Sequence, residues 1–268
     1  MKIVSYNIKC DLPEGALEQH PEHFPEPMRR NTFAARSALI REVLEREKPD
    51  IVGFQELQPH MVRWMKENLP EYAFVGHGRE KALDGEHMLL GYRRDKLDLW
   101  GLETFWLSPD PYVPGSRYED QSICPRVCTT ALLHGGEFPF PFRVYLTHLD
   151  HESVSARMKG LSQILRKMED DTDRLLTPCF LMGDFNAQPG DVELSPIKDF
   201  PSLGLRDLTE NVGPTFHNFG QMDPIKIDYI FATAPFELKG AGRWHEDREG
   251  IYLSDHDPVY AEVTVSQR

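Results

Sequence analysis

The chain has 268 residues, long enough to bury a sizeable core without covalent staples. Its 40% hydrophobic and 27% charged residues are ordinary for a globular protein, and no apolar run approaches the roughly 20 residues of a membrane span. With 30 basic against 43 acidic residues the formal net charge is −13, which disfavours a non-specific duplex-DNA binder but would suit an acidic cleft that attracts divalent cations.

Strand-like segments recur along the chain at residues 3–8, 50–55, 87–93, 127–133, 142–149, 179–185, 225–232 and 259–265. Several alternate with period two, as in Ile225, Ile227, Tyr229 and Phe231, the pattern of half-buried strands. Helical spacing covers residues 33–47, where Phe33, Ser37, Ile40 and Val43/Leu44 share a face. It returns at 152–170, with Val154, Met158, Leu161, Leu165 and Met168, and a shorter helix is expected over 60–69. Many strands with a few interspersed helices predict packed sheets flanked by helices, an α/β or α+β layered architecture in a single domain spanning 1–268. The Pro- and acid-rich residues 10–30 are too long for a simple connection and read as a loop or a functional rim. The chain goes straight into its first strand pattern, so the expected compartment is the cytoplasm. Cys10, Cys124, Cys128 and Cys179 lack a common zinc spacing and read as free thiols.

Polar residues stand at the ends of these strands. "SYNI" carries Asn7, "FQEL" carries Glu56, "THLDH" carries His148, "GDFNA" carries Asp184 and Asn186, "KIDYIF" carries Asp228, and "SDHDPV" carries Asp255 and His256. Asp184 and Asn186 are two apart in an extended segment and so share a face. Each residue alone has a structural explanation: a turn, a helix cap, a hydrogen-bonded core histidine, or pairing of Asp228 with Lys226. Together they are a different matter, because clustered buried carboxylates need a cation, a proton or a histidinium. Such a set suits phosphoryl transfer. Oxygen ligands at Glu56, Asn7 and Asp255 match Mg²⁺ or Mn²⁺, two histidines can donate to a phosphate, and Asp184 can orient or deprotonate water.

With these motifs in order from Ser5 to Val259, the sequence resembles the endonuclease/exonuclease/phosphatase superfamily. The resemblance implies a DNase I-like four-layer sandwich, two mostly antiparallel β-sheets packed face to face with helices outside. It implies Glu56 as principal metal ligand with Asn7 beside it, and Asp255 near the metal or its waters. His148 would contact the scissile phosphate, Asp184 would activate water, Asn186 would help position it, and Asp228 would orient and charge His256. The general base stays open between Asp184 and the Asp228–His256 pair. The segment 104–127 resembles a bacterial branch near CCR4/nocturnin-like members, in which Arg126 is a phosphate contact; a structural arginine is an equal alternative. Arg157 could reach the site, though a salt bridge is the simpler expectation. Trp106, Tyr112 and Tyr118 could form a stacking wall, though core packing is the commoner use. The expected activity is metal-dependent hydrolysis of a small or single-stranded phosphate ester. A DNA or RNA nuclease is the alternative, and a non-catalytic binding module the third reading. No membrane or protein partner is indicated.

Overall fold

The computed structural model describes residues 1–12, 24–175 and 177–265. Two mixed six-stranded sheets dominate it. The first has the order β11 (Phe236–Arg243), β14 (Val259–Val265), β1 (Lys2–Asn7), β2 (Ile51–Leu57), β4 (His87–Arg93) and β3 (Tyr72–Val75). The second runs β5 (Leu97–Trp106), β6 (Val127–Gly135), β7 (Phe138–His148), β8 (Cys179–Asp184), β10 (Asp228–Ala232) and β9 (Arg206–Asp207). Each sheet contains one parallel pair, β1 with β2 and β7 with β8, among antiparallel neighbours. A short hairpin, β12 (Asp247–Arg248) with β13 (Ile251–Tyr252), stands apart.

The eight segments with strand-like patterns in the sequence are the eight inner strands. Of the two six-stranded sheets, the four strands that escaped, β3, β5, β9 and β11, are the four edges. Edges face solvent and carry charge and glycine in place of clean alternation. Strand β5 reads "LDLWGLETFW" with a bulge at Gly101, and β11 reads "FELKGAGR" with another at Gly240. The expected strand over 225–232 is regular only from Asp228, because Ile225 instead pairs with Phe216 in an isolated bridge.

Period-two alternation divides the core into three layers. On the inner faces Ile3, Ile51, Leu146, Phe180, Met182 and Ile230 pack between the sheets. Val4, Tyr6, Val52 and Phe54 turn outward against α2 (Phe33–Glu47) and α3 (Pro59–Asn68). Tyr145, Leu181 and Tyr229 turn outward on the second sheet against α4 (Val154–Leu175). A five-residue helix, α1 (Glu26–Arg30), precedes α2. The α4 face Leu161, Ile164, Leu165 and Met168 is fully buried, worth roughly 1.5–3 kcal/mol per side chain. Helices, two sheets and a helix form the four expected layers. The sheets approach closely at Gly53, where a Cβ would stand 2.5 Å from both Leu146 Cδ1 and Met182 Cε.

Residues 13–23, most of the 10–30 segment, lie outside the described residues. All four cysteines are free. Among the described residues no helix is long and apolar enough to cross a membrane.

Candidate active site

The inner face of each central strand changes from apolar to polar at one end. In β1 the face runs Ile3, Ser5, Asn7; in β7 it runs Val144, Leu146, His148; in β8 it runs Phe180, Met182, Asp184. The parallel register of β7 and β8 sets His148 beside Asp184. Antiparallel β10 begins where β8 ends, so its first residue, Asp228, is the register partner of Asp184. Antiparallel β14 likewise delivers the preceding Asp255 and His256 to the end of β1. Topology and alternation therefore gather the polar set at one rim of the sandwich.

Glu56 breaks the alternation. On the pattern of Val52 and Phe54 it would face the helices, but a bulge between Phe54 and Leu57 and a left-handed φ of 67° re-aim it. Asn7 then joins the two sheets: its Nδ2 donates to Glu56 Oε1 at 2.9 Å and to Asp184 Oδ2 at 3.0 Å. The Cys10 N–H donates to Glu56 Oε2 at 3.1 Å. Burial pushes the Glu56 carboxyl up, but Lys9 and these donors override it and hold the group well below the usual carboxylate range. Lys9 Nζ lies 3.9 Å from Glu56 Oε2 and 3.4 Å from Asp255 Oδ2.

Two histidines flank Asp184 in different electrostatic settings. His148 Nε2 is 3.5 Å and His256 Nε2 is 3.7 Å from Asp184 Oδ2. Burial, reinforced by the charge of Arg126, holds the His148 ring well below the usual imidazole value. Burial would lower His256 as well, but Asp228, whose Oδ2 is 2.9 Å from Nδ1, overrides it and raises the ring to about 10. Thr215 supports Asp228. Its Oγ1 accepts the N–H groups of Ile227 and Asp228, and its hydroxyl donates to Asp228 Oδ2 at 2.5 Å. Burial, then the charge of Asp228, pushes Asp184 up to about 7. Asn186, at a left-handed φ of 49°, donates its backbone N–H to Asp184 Oδ1 at 2.9 Å and its Nδ2 to the Leu149 carbonyl at 3.1 Å.

These groups open on a cavity of about 410 Å³ lined by Glu56, His148, Asp184, Asn186, Asp255, His256 and Arg126 among others. Every singled-out site residue is therefore in this constellation, with Asn7 and Asp228 directly behind its wall. Sequence reasoning missed Lys9, Cys10, Arg79, Glu86 and Thr215. Arg79 and Glu86 flank a turn with no motif of its own. Lys226 does not pair with Asp228; its Nζ is 3.2 Å from Asp207 Oδ2 and also meets the Thr209 carbonyl. Arg157 makes a salt bridge, though a buried one, with Glu193 at 2.6 Å. Trp106, Tyr112 and Tyr118 form no stacking wall. Trp106 is buried and donates to the Arg79 carbonyl at 2.7 Å, Tyr112 is exposed, and Tyr118 packs beside α4.

The sequence profile of the endonuclease/exonuclease/phosphatase family matches residues 4–256. The chain belongs to this family. It is similar over its length to solved members. The mannosyl-6-phosphatase of Bacteroides thetaiotaomicron is 28% identical over 98% of this chain and 99% of that one, with a TM-score of 0.83. At the level of fold alone, the chain is also similar to the TDP2 of D. rerio, solved with a single-strand DNA product. That chain is 19% identical over 99% of both chains, with a TM-score of 0.74. The catalytic domain of human nocturnin, solved with a sulfate anion, is 16% identical over 99% of this chain and 94% of that one, with a TM-score of 0.71. No curated protein sequence matches the chain.

The donors at this site fit a hard divalent cation. Glu56 and Asp255 could hold one through oxygen, the ligand type that Mg²⁺ and Mn²⁺ favour, and Asn7, whose Oδ1 now accepts the Lys9 N–H, would join them with its amide turned over. Cys10 stands with Glu56 and Glu86 in one possible ligand group, and burial, then the Glu56 charge, push its thiol up. A second cluster, His217, His245 and Asp257, lies outside the cavity lining. His217 Nδ1 accepts the Gly220 N–H at 3.2 Å, which puts the ring proton on Nε2, toward Asp257 Oδ1 at 3.3 Å. That neutral tautomer does not suit a metal at Nε2, since a ligating histidine donates from its other nitrogen.

Proposed function

We propose that the chain is a divalent-metal-dependent hydrolase of a phosphate ester, acting through attack of water in line with the leaving oxygen. One observation carries the reading. A buried carboxylate poised near neutrality, Asp184, stands between a neutral and a charged histidine, and one asparagine links it to the ionised Glu56. Water attack on a phosphate needs these components: a base, donors for the phosphate oxygens, and a cation site.

Each residue then has a role. Glu56, with Asn7 and Asp255, holds Mg²⁺ or Mn²⁺, which when bound stabilises charge on phosphate and leaving oxygens. Asp184 takes the proton of the attacking water. His256, charged by Asp228, donates to the phosphate and is a poor base near neutrality, which favours Asp184 of the two rivals. His148 donates to the scissile phosphate, and Asn186 holds Asp184 and the water in line. Arg126 contacts the phosphate. The chain works as one domain on a small or single-stranded ester. The mannosyl-6-phosphatase likeness and the net charge of −13 favour a small ester over a nuclease substrate.

The test is steady-state hydrolysis of phosphate mono- and diesters, single-stranded oligonucleotides and plasmid DNA, with Mg²⁺, Mn²⁺ or EDTA. Turnover abolished by EDTA and by Asp184→Asn is the expected result. Turnover that survives Asp184→Asn at the wild-type rate would remove Asp184 as the base. No turnover from folded, metal-binding protein would favour a binding module.

A further inference from the structure

Arg79 and Arg126 are both buried, at 6% and 4% exposure, and both line the cavity that holds His148 and Asp184. Two guanidiniums taken out of water together are costly unless their charges and N–H groups are met. They are met only in part. Arg126 Nη2 reaches His151 Nδ1 at 2.9 Å, while its Nε and Nη1 have no hydrogen-bond partner. Its nearest carboxylate, Asp150, is 3.8 Å away, and accepts instead from Ser122 and from the N–H groups of Glu152 and Ser153. Arg79 Nη1 is 2.8 Å from Glu86 Oε2, which fixes the guanidinium; its Nε has a carboxylate, Glu80, no nearer than 3.8 Å and no hydrogen-bond partner. Trp106 pins the Arg79 main chain from behind.

Free N–H donors on two fixed cations call for a ligand rich in negatively charged acceptors. A terminal phosphate offers three non-ester oxygens and two charges. A phosphodiester offers two such oxygens and one charge, and its second ester arm would have to occupy ground faced by charged donors. We propose that Arg79 and Arg126 form a clamp for the peripheral oxygens of a terminal phosphate, making this site specific for phosphomonoesters over phosphodiesters. The clamp rests on the hydrolase reading above but is testable apart from it. Arginine suits the task because its planar fork can hold two oxygens at once. Glu86 is a positioning residue here, acting through Arg79.

The test has two arms. In the first, kcat/KM with Mg²⁺ is compared for p-nitrophenyl phosphate and bis(p-nitrophenyl) phosphate. Wild type is expected to favour the monoester by about 100-fold or more, the scale of a lost pair of charge-stabilising donors. Arg79→Met and Arg126→Lys should each narrow that ratio by about tenfold. A wild-type preference for the diester, or an unchanged ratio in both variants, overturns the clamp. In the second arm, inorganic phosphate is titrated calorimetrically into wild type and the same variants, with thermal melts to confirm folding. A loss of about tenfold or more in affinity supports the clamp, and unchanged affinity overturns it whether or not turnover is seen. Clamp-dependent phosphate binding with no turnover of any ester would overturn the hydrolase reading and leave the clamp standing.

Discussion

Asp184 and Asp228 face each other as register partners on antiparallel β8 and β10, two carboxylates at the same end of the inter-sheet core. Only one of them is paired with a ring at hydrogen-bond distance: Asp228 Oδ2 is 2.9 Å from His256 Nδ1. Asp184 is left with the Asn7 amide, the Asn186 N–H and histidines beyond 3.4 Å. That inequality gives two like residues different chemistry, one charging a histidine and the other held near neutrality.

Asp228→Asn should therefore lower the His256 pKa in metal-free protein, since the loss removes the carboxylate that offsets burial. Ring titration by NMR in EDTA measures this directly. A ring that titrates where it does in wild type would take the pair out of the mechanism.

The same groups set the pH dependence of stability. His256 titrates at about 10 when folded against 6.5 unperturbed, so its contribution is full below about 6.5 and is lost as pH rises toward 10. Asp184, raised from 3.8 to about 7, also binds its proton more tightly when folded, so its contribution fades as pH rises from 3.8 through 7. Both slopes have the same sign. Urea unfolding of the metal-free protein should show stability falling on the alkaline side, by at most about 1.4 kcal/mol per pH unit for each proton. Asp228→Asn should flatten the part between 6.5 and 10. Parallel curves for the two proteins would contradict the assignment.

What the sequence disclosed, and what it hid, follows from where information lies along the chain. Strict alternation in β1, β7 and β8 makes Asn7, His148 and Asp184 legible as inner-face residues, because apolar residues earlier on the same face mark it: Ile3 for Asn7, Val144 and Leu146 for His148, Phe180 and Met182 for Asp184. Glu56 follows from motif alone, since alternation points it the wrong way and only the bulge turns it inward. Edge strands were illegible for lack of a second buried neighbour. Arg79 and Thr215 are brought in by tertiary packing across long sequence separations, and nothing in their own neighbourhoods announces it.

Thr215→Val tests that hidden support at nearly constant volume. It removes the donor to Asp228 and the acceptor of two backbone N–H groups in a fully buried place. Unsatisfied buried groups cost about 1–3 kcal/mol, so the urea midpoint should fall accordingly, and kcat should fall with KM little changed. Thr215→Ser, which keeps the hydroxyl, should recover most of both. Equal loss in the two variants would show that the hydroxyl does not carry the effect.

Gly183 lets Asp184 reach its place. At φ 153° a Cβ there would stand 1.9 Å from the Thr147 carbonyl oxygen, its parallel-strand neighbour. Gly183→Ala should destabilise the fold by roughly 3 kcal/mol or more. Gly190→Ala is the control: its φ is 92° with nothing within 4 Å, so the change should cost only about 1 kcal/mol of backbone strain. Similar midpoints for the two variants in urea would show that the close approach to Thr147 relaxes.

Glu56→Gln separates charge from shape at the cation site. The amide keeps the size of the carboxylate but cannot balance Lys9 at 3.9 Å, and it removes the anion that Asn7 and the Cys10 N–H now serve. Mg²⁺ affinity measured by calorimetry should weaken about 10–100-fold, the scale seen when groups around a bound metal are altered. Gln offers one acceptor oxygen for the two donors that Oε1 and Oε2 now take, so the thermal midpoint in EDTA should also fall modestly, by the equivalent of about 1–3 kcal/mol, and the metal titration is read on protein shown by that melt to be folded. Unchanged Mg²⁺ affinity would move the cation away from Glu56, leaving Asp255 and Asp184 as the carboxylates to test next.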